Sequence, residues 1–381
     1  MKQPLTFLRL YVNPAWRWDD SYSSLMIPFW GNPHGDTRFE LKELFDSFSF
    51  DTRYYGITGD IGQADMVFIP YRQWWLTRHA EGPRLLAESV KAAQEAGIPL
   101  LVDGIADGEH PLNVDNAYVL RIGGYRFLRK EHSVWGIPPH TRWEPNRIEV
   151  PTQPGDFLHQ CRNGVLQIRP KREGKPVVSF AGIIRTTPKN MLHERLGELP
   201  LYLHGIRDTR YNAMSLGLFW RTRALRILGR SDKVTCSFDA QDLYSSSTSS
   251  PKSPEERKKM REAFIERVLD SDYALDVRGH ANASLRLYEI LSLGRIPVIL
   301  DTERILPFAD VVDWSRFSLI VDFRDIKYLP DIIADFHSTL SPERFEDMQR
   351  AAREAYVKHF RIDGQMPHIL REINKLRTAA L

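Results

Sequence analysis

Arg278, Gly279, Asn282, Ser284, Arg286 and Glu289 stand together in one short stretch of this 381-residue chain, and their types suit the handling of a phosphorylated nucleoside. Two guanidiniums, a glycine and hydroxyl or amide side chains at the start of a helix give fixed positive charge and free backbone N–H groups, which is chemistry for phosphate. Glu289, a turn further along, is suited to accept hydrogen bonds from ribose hydroxyls. The same spacing also fits a plainer role, an i, i+3 ion pair between Arg286 and Glu289 on a helix surface.

The elements around these residues form one βαβ unit. Tyr273–Val277 is β-rich, and residues 278–282 form a polar turn. A helical pattern then runs to Leu293, and Gly294 stands where a C-cap glycine belongs. Leu287, Ile290, Leu291 and Gly294 make the stripe that packs on a sheet, while Asn282, Arg286 and Glu289 share another face, predicted to line the same cleft edge as Arg278. Ile296–Leu300 is a compact apolar run suited to a buried parallel strand. The turn at the carboxyl edge of such a unit is where these sheets bind ligands.

The pattern carried by Arg278, Gly279, Asn282, Ser284, Arg286, Tyr288, Glu289, Gly294, Ile296, Pro297, Asp301, Leu306, Pro307, Phe308, Asp313 and Trp314 resembles the donor-binding segment of exostosin-like glycosyltransferases (glycosyltransferase family 47), particularly their bacterial members. Two shorter patches agree in order: Gln63–Tyr71 is similar to a strand of that family's N-terminal half, and Phe180-Ala181-Gly182 followed by Arg185 is similar to the strand that opens its second half. The segment from about 72 to 170 shows no such likeness. The resemblance implies a GT-B fold, two Rossmann-like parallel-sheet domains facing across a cleft. It further implies an inverting, metal-independent transfer from a nucleotide-sugar, a UDP-sugar being favoured, to a glycan or glycolipid acceptor. Arg185, Arg278, Gly279, Asn282, Ser284, Arg286 and Glu289 would hold the donor.

Composition narrows the alternatives. Hydrophobic residues make up 42% and charged residues 27%, the balance of a globular protein, and the length asks for two domains. A formal charge of +3 argues against a dedicated nucleic-acid binder. Cys161 and Cys236 imply neither a disulfide framework nor a zinc site. No window approaches about 18 consecutive apolar residues, so the expectation is a cytoplasmic enzyme with at most peripheral contact at the inner face of a membrane. No P-loop and no G-x-G-x-x-G occurs, which disfavours kinase and dehydrogenase readings.

Strands at Leu8–Val12, Met66–Pro70 and Ile98–Val102 alternate with helical stretches at Phe39–Phe48 and Pro83–Ala96, giving an α/β first domain over 1–165. Pro138–Pro154 reads as a connection. A second α/β domain, over 170–360, opens with a strand at Val177–Phe180 and continues through a helix at Glu255–Leu269 and a strand at Ser318–Val321. Residues 361–381 are expected to form a helix crossing back to the first domain. The serine-rich Ser245–Pro254 reads as a surface loop or as a lid over the nucleotide. Arg221–Arg230 reads as a buried helix with a solvated edge.

Inversion asks for a general base. Glu303 is ranked first, with Asp301 beside it; Asp19, Asp20, His34 and Asp103 in N-terminal loops are the alternatives. Asp301-Thr302-Glu303 also has the makings of a Mg²⁺ site, although its place directly after a buried strand favours a turn. Trp16, Trp18, Trp30, Trp74 and Trp75 suggest either core packing or a stacking surface for a sugar acceptor. A catalytically inactive nucleotide-sugar or glycan-binding protein is the competing functional class. Sugar identity, acceptor, linkage and oligomeric state leave no mark in the sequence.

Overall fold

The computed structural model describes residues 4–106, 111–128, 143–153, 155–184, 199–241 and 253–379. Two all-parallel sheets organise them, each wrapped by helices. The first contains β1 (Leu8–Tyr11), β2 (Tyr55–Thr58), β3 (Met66–Arg72), β4 (Leu100–Asp103), β5 (Ala117–Arg121) and β6 (Arg147–Glu149), in the order β2-β1-β3-β4-β5-β6. The second contains β7 (Val177–Ile183), β8 (Thr235–Gln241), β9 (Tyr273–Asp276), β10 (Ile296–Asp301) and β11 (Leu319–Asp322), in the order β11-β10-β9-β7-β8. The α/β architecture of two parallel-sheet domains expected from the sequence is the one the chain adopts.

Burial explains why these strands are parallel and central. Every residue of β4, β5, β9 and β10 is buried, as in sheets covered on both faces. The chain reverses direction across the second sheet between β7 and β9, and the carboxyl edge at such a switch point is where open α/β sheets bind ligands.

Several elements depart from the sequence reading. β6 lies inside the stretch read as a connection, and β2, β5 and β8 were not anticipated. β5 and β6 each follow an asparagine in the left-handed region, Asn116 (φ 57°) and Asn146 (φ 52°). Asn tolerates that conformation better than most residues, so Asp115-Asn116 and Pro145-Asn146 mark strand entries. The helix after β9 begins at Leu285 with Ser284 as N-cap, so Asn282 lies in the turn as read, but ahead of the helix whose face it was expected to share. Gly294 (φ 62°) ends that helix as expected. Gly217–Gly229 is a helix with Trp220, Ala224, Leu225 and Leu228 buried. Ser253 caps the helix Pro254–Leu269 through a reciprocal capping box with Glu256; most of the loop read as a lid lies outside the described residues.

Contacts at several places among the described residues join the domains, Arg353 and Arg361 on Asp156 among them (2.7 and 3.1 Å). The C-terminal helix Met366–Ala379 places Met366, Ile369, Leu370 and Ile373 in the core of the first domain, and Asn374 bonds both backbone groups of Leu5 at 2.8 and 2.9 Å. Residues 124–126 run against the loop after β10: Arg126 N–H donates to Glu303 O at 2.8 Å and Ile305 N–H to Gly124 O at 3.0 Å. The helix Pro254–Leu269 reaches the helix Phe39–Ser47 through Arg257–Glu40 (3.3 Å) and Arg261–Glu43 (3.0 Å). Among the described residues no helix is long and apolar enough to cross a membrane.

Candidate functional site

Four strands of the second sheet carry an aspartate at or near their carboxyl ends, and each meets an arginine. Asp276 pairs with Arg304 at 2.7 Å, Asp301 with Arg126 at 2.7 Å, Asp322 with Arg324 at 2.6 Å, and Asp239 with Arg267 at 4.0 Å. The pairing offsets the carboxylate charge along the edge.

Within the turn after β9 the structure separates the residues the sequence had grouped. Arg278 is 1% exposed and donates inward, to the carbonyls of His280 (3.0 Å), Ala213 (3.3 Å) and Ser215. It braces the turn against the segment before Gly217. The expected glycine requirement also moves: a Cβ on Gly279 meets nothing closer than 3.7 Å, whereas one on Gly217 would lie 2.1 Å from the Gly279 carbonyl. Asn282 is equally committed. Its Nδ2 donates to Gly124 O (3.2 Å) and Thr302 O (3.0 Å), and its Oδ1 accepts from the Thr302 hydroxyl at 2.6 Å. Asn282 therefore ties the turn to β10 and to the first domain, and does not share a helix face with Arg286 and Glu289. Gly123 (φ 76°) allows this approach, since a Cβ there would lie 2.7 Å from Asn282 N.

Ser284, Arg286 and Glu289 remain available. Ser284 Oγ is buried with no partner among the described residues. It borders a void of about 10 Å³ shared with Arg304, Thr152 and Tyr288, room for one water. Arg286 and Glu289 face each other at 4.0 Å, with side chains 14% and 9% exposed. That separation is too long for a hydrogen bond, and neither head group makes one within the described residues. The Arg286 guanidinium lies 4.6 Å over the Phe264 ring, and its Nη2 is 3.6 Å from where a Cβ on Gly182 would be, at the end of β7. Burial pushes the Glu289 carboxyl above its usual range; Arg286 and Arg261 oppose the shift and Asp276 adds to it. Arg185 lies outside the described residues.

The base candidates fall differently. Both Asp301 oxygens accept from Arg126, at 3.2 and 2.7 Å, and Oδ1 also takes the Arg304 N–H. Glu303, in the left-handed region (φ 58°), is held by Arg324 at 3.0 Å and Arg126 at 3.5 Å. Neither offers a free carboxylate oxygen to the cleft. Asp103 is fully buried and accepts from Ser23 Oγ at 2.6 Å, while Asp19 accepts from Trp75 Nε1 at 3.2 Å. Asp20 lies 3.8 Å from Arg17 on the surface. His34 stacks on Phe45, its ring nitrogens without a hydrogen-bond partner among the described residues. Burial, then Arg38 and Arg72, hold it down to about 4, so the imidazole is neutral at ordinary pH. Among the described residues no group of three or more His, Cys, Asp or Glu could hold a metal ion.

The tryptophans serve mostly the core. Trp16 and Trp75 are each 3% exposed, and Trp75 is stacked between Tyr71 and His79. Trp30 packs against Tyr22 and under Arg17, and Trp74 packs partly buried against the first core. Trp18 is 44% exposed beneath Arg84. Sequence reasoning missed Arg126, Arg261, Phe264 and Arg304, which line the site from other segments; no local spacing announces them.

Comparison with known proteins places this edge in context. The family profile described as Exostosin GT47 domain matches residues 230–336. The exostosin-1 homolog of Caenorhabditis elegans is 30% identical over 113 residues, covering 29% of this chain and 28% of that protein. Human exostosin-2 is 31% identical over 94 residues, covering 24% of this chain and 12% of that protein. The alignments thus span less than a third of these relatives. A solved glycosyltransferase structure from Rickettsia africae superimposes with a TM-score of 0.35 at 12% identity, over 82% of this chain and 77% of that one. The portion of this chain similar to the Exostosin GT47 domain is therefore residues 230–336, which contain β8 to β11 and the helix bearing Arg286 and Glu289.

Proposed function

We propose that the protein is a glycosyltransferase of exostosin type, which takes a sugar from a nucleotide-sugar, UDP-linked in the favoured form, and passes it with inversion to a glycan hydroxyl. The observation that carries this reading is the uncommitted pair Arg286 and Glu289: a half-buried arginine and a buried glutamate 4.0 Å apart, without hydrogen bonds among the described residues, at a switch point, within the segment that resembles exostosin donor sites. Burying such groups without partners is costly, so a ligand that supplies partners to both is strongly favoured. Arg286 would take a diphosphate oxygen and Glu289 a ribose hydroxyl, with the helix N-terminus at Ser284 adding N–H donors. Leaving-group charge would then be met by fixed cations rather than by a metal; the engagement of Asp301 and Glu303 by arginines supports this. Kinship with bacterial members and a role in surface polysaccharide or lipopolysaccharide synthesis belong to the same proposal.

The test is a thermal-shift series with UDP-, GDP-, ADP-, CMP- and dTDP-sugars in EDTA. Selective stabilisation by one nucleotide family is expected, near 2.7 kcal/mol at about a hundred times Kd. Stabilisation only with Mn²⁺ would overturn metal independence, and silence in both conditions would overturn the donor site.

A further inference from the structure

We propose that the cleft between the first sheet, the loop after β10 and the C-terminal helix is a binding site for a neutral oligosaccharide, with the indole of Trp143 as its stacking surface. The cleft measures about 500 Å³, within the roughly 300–1,000 Å³ span of small-ligand sites. Its walls come from three places that only the fold brings together: residues 123–128 with 143–149, residues 305–310, and the last helix at Glu372, Lys375 and Leu376.

The lining has two characters. Trp143, Leu128, Pro145, Leu306 and Leu376 supply apolar surface, and Arg126, Arg147, Glu149, Asp310 and Lys375 supply hydrogen-bonding groups. Trp143 is 37% exposed, against 3% for Trp16 and Trp75, so its ring is presented rather than consumed by a core. An aromatic face beside mixed donors and acceptors suits a pyranose ring, which has one apolar face and an edge of hydroxyls.

Charge narrows the class. Each lining cation already has a carboxylate: Arg126 has Asp301, Arg147 has Glu149 at 2.8 Å, and Lys375 has Asp310 and Glu372. Among the described residues no cationic surplus remains for a phosphate, sulfate or uronate, which favours a neutral saccharide over a nucleotide. The inner end of the cleft shares Gly123, Glu149 and Ile305 with the small void beside Ser284. A chain seated there ends close to the helix that bears Arg286. Calling that chain the acceptor rests on the glycosyl-transfer reading; the saccharide site itself does not.

Calorimetric titration of the full chain with cellotriose, xylotriose and mannotriose, and with a hyaluronan tetrasaccharide as the acidic probe, tests the site. One neutral trisaccharide is expected to bind, and Trp143→Ala and the cleft-filling Ala309→Trp should each weaken it by about tenfold or more. UDP-sugar thermal shifts should stay as in wild type. Tighter binding of the acidic probe, equal affinity in both variants, or no heat from any neutral probe would overturn the proposal. Trisaccharide binding without any UDP-sugar response would keep this site and sink the enzyme reading instead.

Discussion

Arg278 and Arg286 sit on the same βαβ unit, yet the fold uses them in opposite ways. The turn after β9 is internally satisfied: Arg278 feeds backbone carbonyls, and Asn282 links β10 to the first domain. The first turns of the next helix are not: Arg286 and Glu289 stay 4.0 Å apart beside Phe264. A satisfied turn is scaffold, whereas half-buried Arg286 and buried Glu289 are left without hydrogen bonds among the described residues. Residues identical in type within one motif thus divide between committed and uncommitted according to what surrounds them.

The largest effect expected from this contrast is on stability. Arg278→Ala should cost roughly 3 kcal/mol in urea unfolding, because three buried carbonyls lose a charged donor. Little change there, with loss of UDP binding instead, would reverse the roles assigned to the two arginines. Arg286→Ala should do the opposite, weakening UDP-sugar binding by about 1.5–3 kcal/mol in calorimetry while leaving the unfolding midpoint within about 1 kcal/mol of wild type.

Acid should act mainly through the histidines. His34 is held down to about 4 by burial first, then Arg38 and Arg72; His368 is held down to about 4 by burial, then His359 and Arg371, with Asp310 opposing. The unfolded chain protonates both near 6.5 and so binds more protons below that value. Their contribution is full above about 6.5 and is lost as pH falls towards 4, so Tm should drop across that window. Because His368 stacks on Phe308 and bonds His359 at 2.8 Å, His368→Phe should flatten the drop; an unchanged slope would remove it as the cause.

The smallest and sharpest change is Glu289→Gln. The raised Glu289 pKa means that the fold disfavours its charge, so stability falls as pH rises from the usual carboxylate range through the raised value. The glutamine variant should therefore gain Tm at neutral pH, lose that gain in acid, and bind UDP less tightly while binding inorganic diphosphate as before. Equal loss for both ligands would mean that Glu289 only orients Arg286.

Much of the fold was legible because parallel strands buried on both faces write themselves as unbroken apolar runs, as in β10 and β4. Short or partly polar strands such as β2 and β6 were not, since sheet neighbours rather than local pattern make them strands. Asn282 was grouped with Arg286 and Glu289 by their i, i+4, i+7 spacing, but the helix starts at Leu285 and the Asn282 amide is spent on Gly124 and Thr302. Asp301 and Glu303 were ranked as bases for their nearness to the predicted site; their engagement by Arg126 was hidden because that residue is remote in sequence.

The sequence by itself determined the βαβ unit, the two-domain α/β class, the Gly294 cap and the presence of arginine and glutamate at helical spacing, all consequences of local periodicity and backbone chemistry. Only the tertiary structure decided which arginine is scaffold, which carboxylates are neutralised, and where an exposed tryptophan meets an open cleft. Those outcomes depend on charges and carbonyls delivered from distant segments, and electrostatic and hydrogen-bond satisfaction is settled by distance in space rather than by order along the chain.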